Sequence, residues 1–134
     1  FDSSGTFLGG SIIQATARDY AKFGEFLRHK GARKGAQHLP VSWVRFMTTS
    51  SENDPAYGGH IWLNKHRPEG RNPVLFPDNG PDTIFAALGH LGQQIVVSPD
   101  QQLTVVRLGK TQDEVLAPMS AQIGRIMALF PIRG

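Results

Sequence analysis

The chain has 134 residues, of which 40% are hydrophobic and 19% are charged, and its formal net charge is +3. This balance is typical of a folded globular protein and excludes a disordered or fibrous chain. The length fits one compact domain or part of a larger one. Because cysteine is absent, disulfides, thiolate zinc sites and cysteine nucleophiles are excluded. No apolar run approaches the roughly 20 residues of a transmembrane helix, so we expect no membrane span.

The positive charge raises the question of a nucleic-acid partner. The densest basic cluster is HKGARK at residues 29–34. It lies where a helix is predicted to end, and cations at that position stabilise the helix dipole. No alternating aromatic residues and no known nucleic-acid motif accompany the cluster, so we expect no nucleic-acid partner.

Two helices are predicted in the first part of the chain, after a glycine-rich loop at residues 5–11. Thr16 and Asp19 have the spacing of a capping box, which predicts a helix that continues until Gly31. Its apolar face recurs at three- and four-residue steps: Ala17, Tyr20, Ala21, Phe23, Gly24 and Leu27. A second, shorter helix is predicted over residues 40–48, opened by a proline. Its Trp43 is expected in the core, as is Trp62 further along the chain.

The rest of the chain predicts an antiparallel sheet. Four strands are expected, at residues 57–64, 84–88, 93–97 and 103–108, with a hairpin connection at 98–102. Residues 65–81 form a long irregular segment of the kind that often serves as a lid or binding wall. The apolar runs at residues 95–97 and 103–106 are continuous, which predicts cover on both faces, and a helix over 115–130 supplies one cover. The predicted fold class is α+β, an antiparallel sheet flanked by helices.

Several kinds of chemistry have no basis in the sequence. The five histidines form no close ligand pair and no cysteine assists them, so we expect neither a metal nor a cofactor. The carboxylates are dispersed through turns and helix ends, which gives no basis for paired acid catalysis. The glycines at residues 5–10 lack the residues that complete a phosphate-binding loop.

Several stretches of the sequence together resemble a known family. They are ATARDYAKFG at 15–24, LPVSWV at 39–44, YGGHIWLN at 57–64, GHLGQ at 89–93 and VVRLG at 105–109. In this order they resemble the C-terminal portion of the β-lactamase-related serine hydrolases. That family includes class C β-lactamases, penicillin-binding D-alanyl-D-alanine peptidases, and related bacterial esterases and amide hydrolases. The resemblance spans nearly the whole chain and implies part of a β-lactamase/transpeptidase-like fold.

The resemblance also implies roles for a short segment. In that family the serine of S-x-x-K is acylated, and a third motif, K-T-G or H-x-G, faces it from an edge strand. Residues 90–92 match H-x-G. The resemblance implies that His90 lines the cleft, that Gly92 leaves room for substrate, and that the N–H of Gln93 is an oxyanion donor. Such a donor contributes about 3 kcal/mol to transition-state stabilisation.

The serine nucleophile and its base are missing from this sequence. None of the eight serines is followed three residues later by lysine, and neither Tyr20 nor Tyr57 begins a Y-x-N motif. The chain also begins with Phe1 and no initiator methionine. We therefore expect the C-terminal part of a hydrolase domain that acts on an ester, amide or β-lactam. Its partner would be the remaining N-terminal portion, and the chain alone would be inactive.

Other interpretations stay open. The chain could be a noncatalytic binding or regulatory domain of the same fold, with His90 as a structural turn residue. Arg107 is expected either at a sheet edge or beside a carboxylate, because an unpaired buried charge is costly. Lys110 and Thr111 resemble part of K-T-G, but we interpret them as the start of a helix with Thr111 as its cap. The compartment stays open between bacterial periplasm and cytoplasm, and the resemblance favours the periplasm.

Overall fold

The structure, a computed structural model, describes residues 2–6 and 13–133. Most of the glycine-rich loop expected at residues 5–11 lies outside these ranges. The helices and strands follow in this order: α1 (Ala17–Arg28), β1 (Ala32–Arg33), β2 (Ala36–Gln37), α2 (Val41–Met47), β3 (Trp62–Leu63), β4 (Phe85–Gly89), β5 (Gln93–Ser98), β6 (Leu103–Arg107) and α3 (Leu116–Met127).

Strands β3 to β6 form one antiparallel sheet in the order β3-β4-β5-β6. In the centre of the sheet, Val96 of β5 pairs with Ala86 of β4 on one side and with Val105 of β6 on the other. Strands β1 and β2 form a separate two-stranded ribbon after α1. The predicted α+β class with an antiparallel sheet is confirmed.

Helices α1 and α3 cover opposite faces of the sheet. Leu27 of α1 packs with Phe85 on one face, whereas Ile123 of α3 packs with Ala86 on the other. Phe85 and Ala86 are neighbours in β4, and successive side chains of a strand point to opposite faces. Burial of each large aliphatic side chain contributes about 1.5–3 kcal/mol. The predicted cover on both faces of the sheet is therefore confirmed.

Helix α1 begins as the sequence predicts. The N–H of Asp19 donates to the Thr16 hydroxyl at 3.2 Å, and that hydroxyl donates to the Asp19 carboxylate at 2.7 Å. Gly24 faces the sheet so closely that a Cβ atom on it would lie 2.5 Å from the Thr104 methyl group. The predicted apolar face is too wide, however, because Phe23 is 45% exposed. Because the helix lies this close to the sheet at Gly24, side chains on the flanks of the helix, such as Phe23, stay outside the interface.

Two aromatic residues expected in the core have different environments. Trp43 of α2 is 53% exposed, so its expected burial is wrong; it stacks on Phe46 with the ring centroids 5.4 Å apart. Helix α2 has only seven residues, and only its Val44 is buried. Trp62 of β3 is half-buried and packs against the core on the α3 face of the sheet.

The strand predicted over residues 57–64 is mostly a tight turn. Only Trp62–Leu63 is strand, and Tyr57 pairs back onto Trp62 through an isolated bridge. The N–H of Gly58 donates to the Ile61 carbonyl at 2.8 Å, and a Cβ atom on Gly58 would lie 2.0 Å from the Met47 carbonyl oxygen. The glycines therefore permit a chain reversal against α2, which shortens the strand.

The long segment 65–81 is fixed to the core at its far end. Its residues Leu75 and Phe76 are buried beneath α3. Asn64, which precedes the segment and is 1% exposed, donates to the Gly80 and Pro81 carbonyls and accepts from the Phe76 N–H. Only the stretch 68–73 is exposed throughout. The second half of the segment packs in the core and does not act as a lid, whereas a binding-wall role for the segment stays a prediction.

Candidate functional site

The segment GHLGQ forms the tip of the β4–β5 hairpin, which we call the His90 turn (residues 89–93). Residues His90–Gly92 make one 3-10 turn between the two strands. Leu91 and Gly92 both have left-handed backbone conformations, with φ of +57° and +79°. His90 is exposed at the tip. A non-glycine residue in this conformation costs about 1–2 kcal/mol, so other contacts must hold Leu91 there.

Arg107, at the end of β6, supplies several of those contacts. Its Nη1 donates to the Gly92 carbonyl at 2.9 Å and to the Leu91 carbonyl at 3.3 Å, while Nη2 donates to the Thr111 hydroxyl. The Thr111 N–H also donates to the Leu91 carbonyl, at 3.0 Å. Thr111 therefore holds the turn, and its expected role as a helix cap is wrong. Gln112 occupies the N-cap position of the 3-10 segment that follows.

Gly92 is buried under Arg107 and α3. A Cβ atom on Gly92 would lie 3.0 Å from Arg107 Nη1 and 3.1 Å from side-chain atoms of both Leu116 and Met119. A Cβ atom on Gly109 would similarly lie 2.9 Å from the Arg107 guanidinium. Two glycines therefore make the space that the guanidinium occupies. The position that a Gly92 side chain would take is filled by the protein's own side chains, and the role of Gly92 in leaving room for substrate stays a prediction.

Gln93 begins β5, which lies between β4 and β6 and is not an edge strand. Its side-chain amide forms two hydrogen bonds with the backbone of Gly109: Oε1 accepts at 2.9 Å and Nε2 donates at 2.5 Å. These bonds continue the β5–β6 pairing beyond Gln94 and Arg107, the last residues paired through the backbone. The Gln94 side chain differs, because its buried Oε1 accepts no hydrogen bond from the described residues.

The open edge of the sheet beside the turn belongs to β4. Strand β3 pairs only with Phe85 and Ala86. The N–H of Asn64 donates to the Ile84 carbonyl at 2.9 Å, so the backbone groups of Ile84 face β3. Because alternate residues of a strand direct these groups to the same side, those of Leu88 also face this edge. No described residue hydrogen-bonds to them there.

A second group of side chains fixes the beginning of segment 65–81. Arg67 donates twice to the nearly buried Asp54 carboxylate, at 2.7 and 2.9 Å, and its guanidinium lies 5.6 Å from the ring centroid of Trp62. The hydrogen bonds from Arg67 hold the pKa of the Asp54 carboxyl below its usual value. This ion pair attaches the segment to the turn that precedes β3.

Ser50 and Lys65 form a serine–lysine contact that the sequence did not reveal. Lys65 Nζ donates to the Ser50 hydroxyl oxygen at 3.0 Å, and that hydroxyl donates to the Pro55 carbonyl at 2.8 Å. An activating base must instead accept the serine proton. In this arrangement the pair holds two loops together.

Two further findings concern metals and membranes. Within residues 2–6 and 13–133, no three histidine, aspartate or glutamate side chains converge as metal ligands would. None of the helices in the same ranges has the length and apolar character needed to cross a membrane.

The structure thus brings His90, Gly92 and Gln93 together in one turn and adds Arg107 and Thr111 as the residues that hold it. The sequence contained one signal for Arg107. An arginine inside a run of apolar strand residues requires polar partners, but its carbonyl partners 15 and 16 residues earlier follow only from the hairpin register.

Comparisons with known proteins establish the fold. No family model matches the chain, and no curated protein matches it. Among solved structures, one described as “Putative 6-aminohexanoate-dimer hydrolase from Bacillus anthracis” superposes on 87% of this chain with a TM-score of 0.57 and 23% sequence identity. The chain covers 30% of that protein's length. At this identity the match shows the β-lactamase-like fold.

Proposed function

We propose that this chain is the C-terminal portion of a serine hydrolase that acts through an acyl-enzyme, and that the His90 turn is its third active-site motif. The observation that carries the proposal is the exposed His90 directly after the open edge of β4, within a β-lactamase-like fold. The nucleophilic serine and its lysine would come from the N-terminal portion of the same protein. Neither a metal nor a cofactor is required for this chemistry.

The proposed reaction requires two groups from this chain, a backbone N–H group and the His90 side chain. The serine attacks the substrate carbonyl, the oxygen of that carbonyl becomes negatively charged, and backbone N–H groups stabilise it. His90 would contact the substrate or the hydroxyl group that transfers the proton. An ester, amide or β-lactam can undergo this reaction. The solved relative is named as a hydrolase of a dimer of 6-aminohexanoate, and amino acids join through amides, so we place amides first.

Two N–H groups are candidates for the oxyanion donor. The resemblance implies Gln93, whereas the backbone geometry favours Leu88, because the open edge presents its N–H outward. Proline at each position in the complete protein separates them, since it removes the N–H. Proline is tolerated where an N–H faces an open edge, as at Leu88, and at the first residue of a strand, as Gln93 is in β5. Loss of the true donor should lower kcat about 100- to 1,000-fold. The matched control Gln93→Ala removes the bonds to Gly109 and keeps the N–H.

The test of the function uses the complete protein and the 134-residue chain side by side. The upstream sequence should contain S-x-x-K followed by Y-x-N. The complete protein should hydrolyse p-nitrophenyl acetate and a short linear amide, and a fluorophosphonate probe should label one serine. The 134-residue chain alone should neither hydrolyse these substrates nor be labelled by the probe.

A rival function is a noncatalytic binding or regulatory domain of the same fold. It predicts that the complete protein binds a small ester or peptide without turnover and without labelling. Labelling of the 134-residue chain alone would contradict our proposal in another way, because it would place a nucleophile in this chain. Ser50→Ala would then show whether the contact with Lys65 supplies it.

A further inference from the structure

We propose that Arg107 is the positioning residue of the His90 turn, which it holds together with Thr111 in the conformation that presents His90. The catalytic part of this inference rests on the proposed function. The observation that carries it is one guanidinium that donates to the Gly92 and Leu91 carbonyls and to the Thr111 hydroxyl.

The contacts converge on the strained part of the turn. Leu91 has φ of +57°, and its carbonyl accepts from both Arg107 Nη1 and the Thr111 N–H. Two donors on one carbonyl fix the peptide plane that follows Leu91, and the Gly92 carbonyl fixes the next. The planar guanidinium holds its donors in a rigid fork, which a lysine ammonium lacks. Arginine is therefore suited to hold two successive carbonyls at once.

The presence of a charged residue, Arg107, in the otherwise largely apolar strand β6 also requires an explanation, which packing alone does not give. Arg107 is half-buried at a position where an apolar strand residue would pack, and no carboxylate among the described residues pairs with it. A cation removed from water is costly unless hydrogen bonds satisfy it. Here the partners are the carbonyls of the turn itself. The cation is thus retained where its hydrogen bonds determine the backbone next to His90.

The first experiment measures the turn itself and needs no enzyme activity. In the complete protein we would compare Arg107→Met and Arg107→Lys with Lys110→Gln by amide hydrogen exchange and by the NMR signals of the His90 ring. Lys110→Gln is the matched control, because it removes a positive charge from the exposed residues that follow β6, where Lys110 makes no side-chain hydrogen bond to the described residues.

In Arg107→Met, exchange at the Thr111 amide should rise by at least about tenfold, and the His90 ring signals should shift. The exchange rate of the Thr111 amide in Arg107→Lys should lie between the rates in Arg107→Met and in the unchanged protein. The rate in Lys110→Gln should equal that of the unchanged protein. Thr111→Val should loosen the turn, whereas Thr111→Ser, which keeps the hydroxyl, should not. Wild-type exchange and His90 signals in Arg107→Met would overturn the inference.

The second experiment measures turnover in the complete protein. Arg107→Met should lower kcat by about 10- to 100-fold and change KM by less than about threefold, and Thr111→Ser should retain activity where Thr111→Val does not. Gln101→Met, which is destabilised at the other end of the sheet, should keep its kcat. If both variants lose kcat in proportion to stability, Arg107 is merely structural.

The two experiments separate the possible failures. If the wild-type complete protein shows no turnover, the proposed function is contradicted, while hydrogen exchange still decides whether Arg107 fixes the turn. If the wild-type protein is active and Arg107→Met loosens the turn without lowering kcat, the positioning role in catalysis is overturned.

Discussion

The two hairpin turns of the central sheet lie at opposite ends and are held in different ways. The His90 turn joins β4 to β5, and the turn at residues 99–102, which we call the Gln101 turn, joins β5 to β6. Each contains one non-glycine residue with positive φ, Leu91 at +57° and Gln102 at +52°. The Gln101 turn is closed over by α3, because the Gln101 side chain donates to the Met127 and Phe130 carbonyls. The His90 turn leaves its histidine exposed.

The two turns differ in which residue supplies the side chain that fixes the turn by hydrogen bonds. At the Gln101 turn it comes from the turn itself, and Gln101 is 6% exposed. At the His90 turn Arg107 on β6 holds the Leu91 and Gly92 carbonyls, and Gln93 at the end of the turn bonds to Gly109. The imidazole at the tip makes no hydrogen bond to the described residues. It is therefore free to contact a ligand, whereas the Gln101 side chain is committed to the fold.

The largest expected effect is a loss of stability at the Gln101 turn. Gln101→Met removes the donors to two carbonyls and the acceptor of the buried Ser98 hydroxyl. Unsatisfied buried groups should lower the free energy of unfolding by about 2–4 kcal/mol. The matched control is Gln94→Met, because Gln94 Oε1 is buried without a partner in the described residues; this change should lie within about 1 kcal/mol of zero. Urea denaturation measures both, and equal losses would contradict the distinction.

The next effect is expected at the His90 turn. Gly92→Ala places a methyl group about 3 Å from Arg107, Leu116 and Met119. It also forces alanine to adopt a φ of +79°. The two effects should lower the free energy of unfolding by about 1–3 kcal/mol. Gly35→Ala is the control for conformation alone, since Gly35 has a similar φ of +79° with no atom within 4 Å. A smaller loss at Gly92 than at Gly35 would show that the packing around Arg107 is loose.

Acidic pH should affect the Gln101 end more than the His90 end. Glu25 of α1 accepts from Arg28 and from the Thr104 hydroxyl of β6. These bonds, Arg28 first, hold the pKa of the Glu25 carboxyl below its ordinary value, although partial burial opposes the shift. A lowered folded pKa means that the stabilisation is present above about pH 4.3 and is lost as the pH falls through the lower, folded value.

Glu25→Gln tests this dependence. Because the Glu25 side chain is 40% exposed, the stability difference from wild type should be only about 0.5–1 kcal/mol at pH 7. It should shrink towards zero below about pH 4. Urea denaturation at several pH values measures it, and a difference that grows in acid would contradict the assigned sign. The His90 ring signals should be unchanged by Glu25→Gln throughout.

Sequence patterns could predict the features that arise from local chemistry. The cap at Thr16, the strands of the central hairpins and the helices that cover them depend on nearby residues, and they formed as expected. Patterns failed where a distant contact decided the outcome. The strand expected at 57–64 was shortened because Gly58 approaches Met47 of α2. Thr111 had the residue type of a cap, but its hydrogen bonds reach across the sheet to Leu91.

The candidate site likewise shows that a sequence pattern does not predict contacts between distant residues. The match to H-x-G found the residues of the turn, because a motif is contiguous in sequence. It could not find the contact between Arg107 and the turn, which requires the register of two hairpins. Nor could it assign Gln93 to an interior strand or the open edge to Leu88, since the order of strands in a sheet is a long-range property.

The smallest effect on stability is expected for the residue on which the proposed function depends most. His90 is exposed and donates to no described residue, so His90→Ala should change the free energy of unfolding by less than about 0.5 kcal/mol. In the complete protein the same substitution should lower the acylation rate by about 100-fold, because a side chain that assists proton transfer contributes at least that much. His60→Ala changes an exposed histidine of another turn; it is the control and should leave the rate unchanged. Stopped-flow acylation and urea denaturation measure the two quantities. A large loss of stability with little loss of rate would make the His90 turn a structural feature like the Gln101 turn.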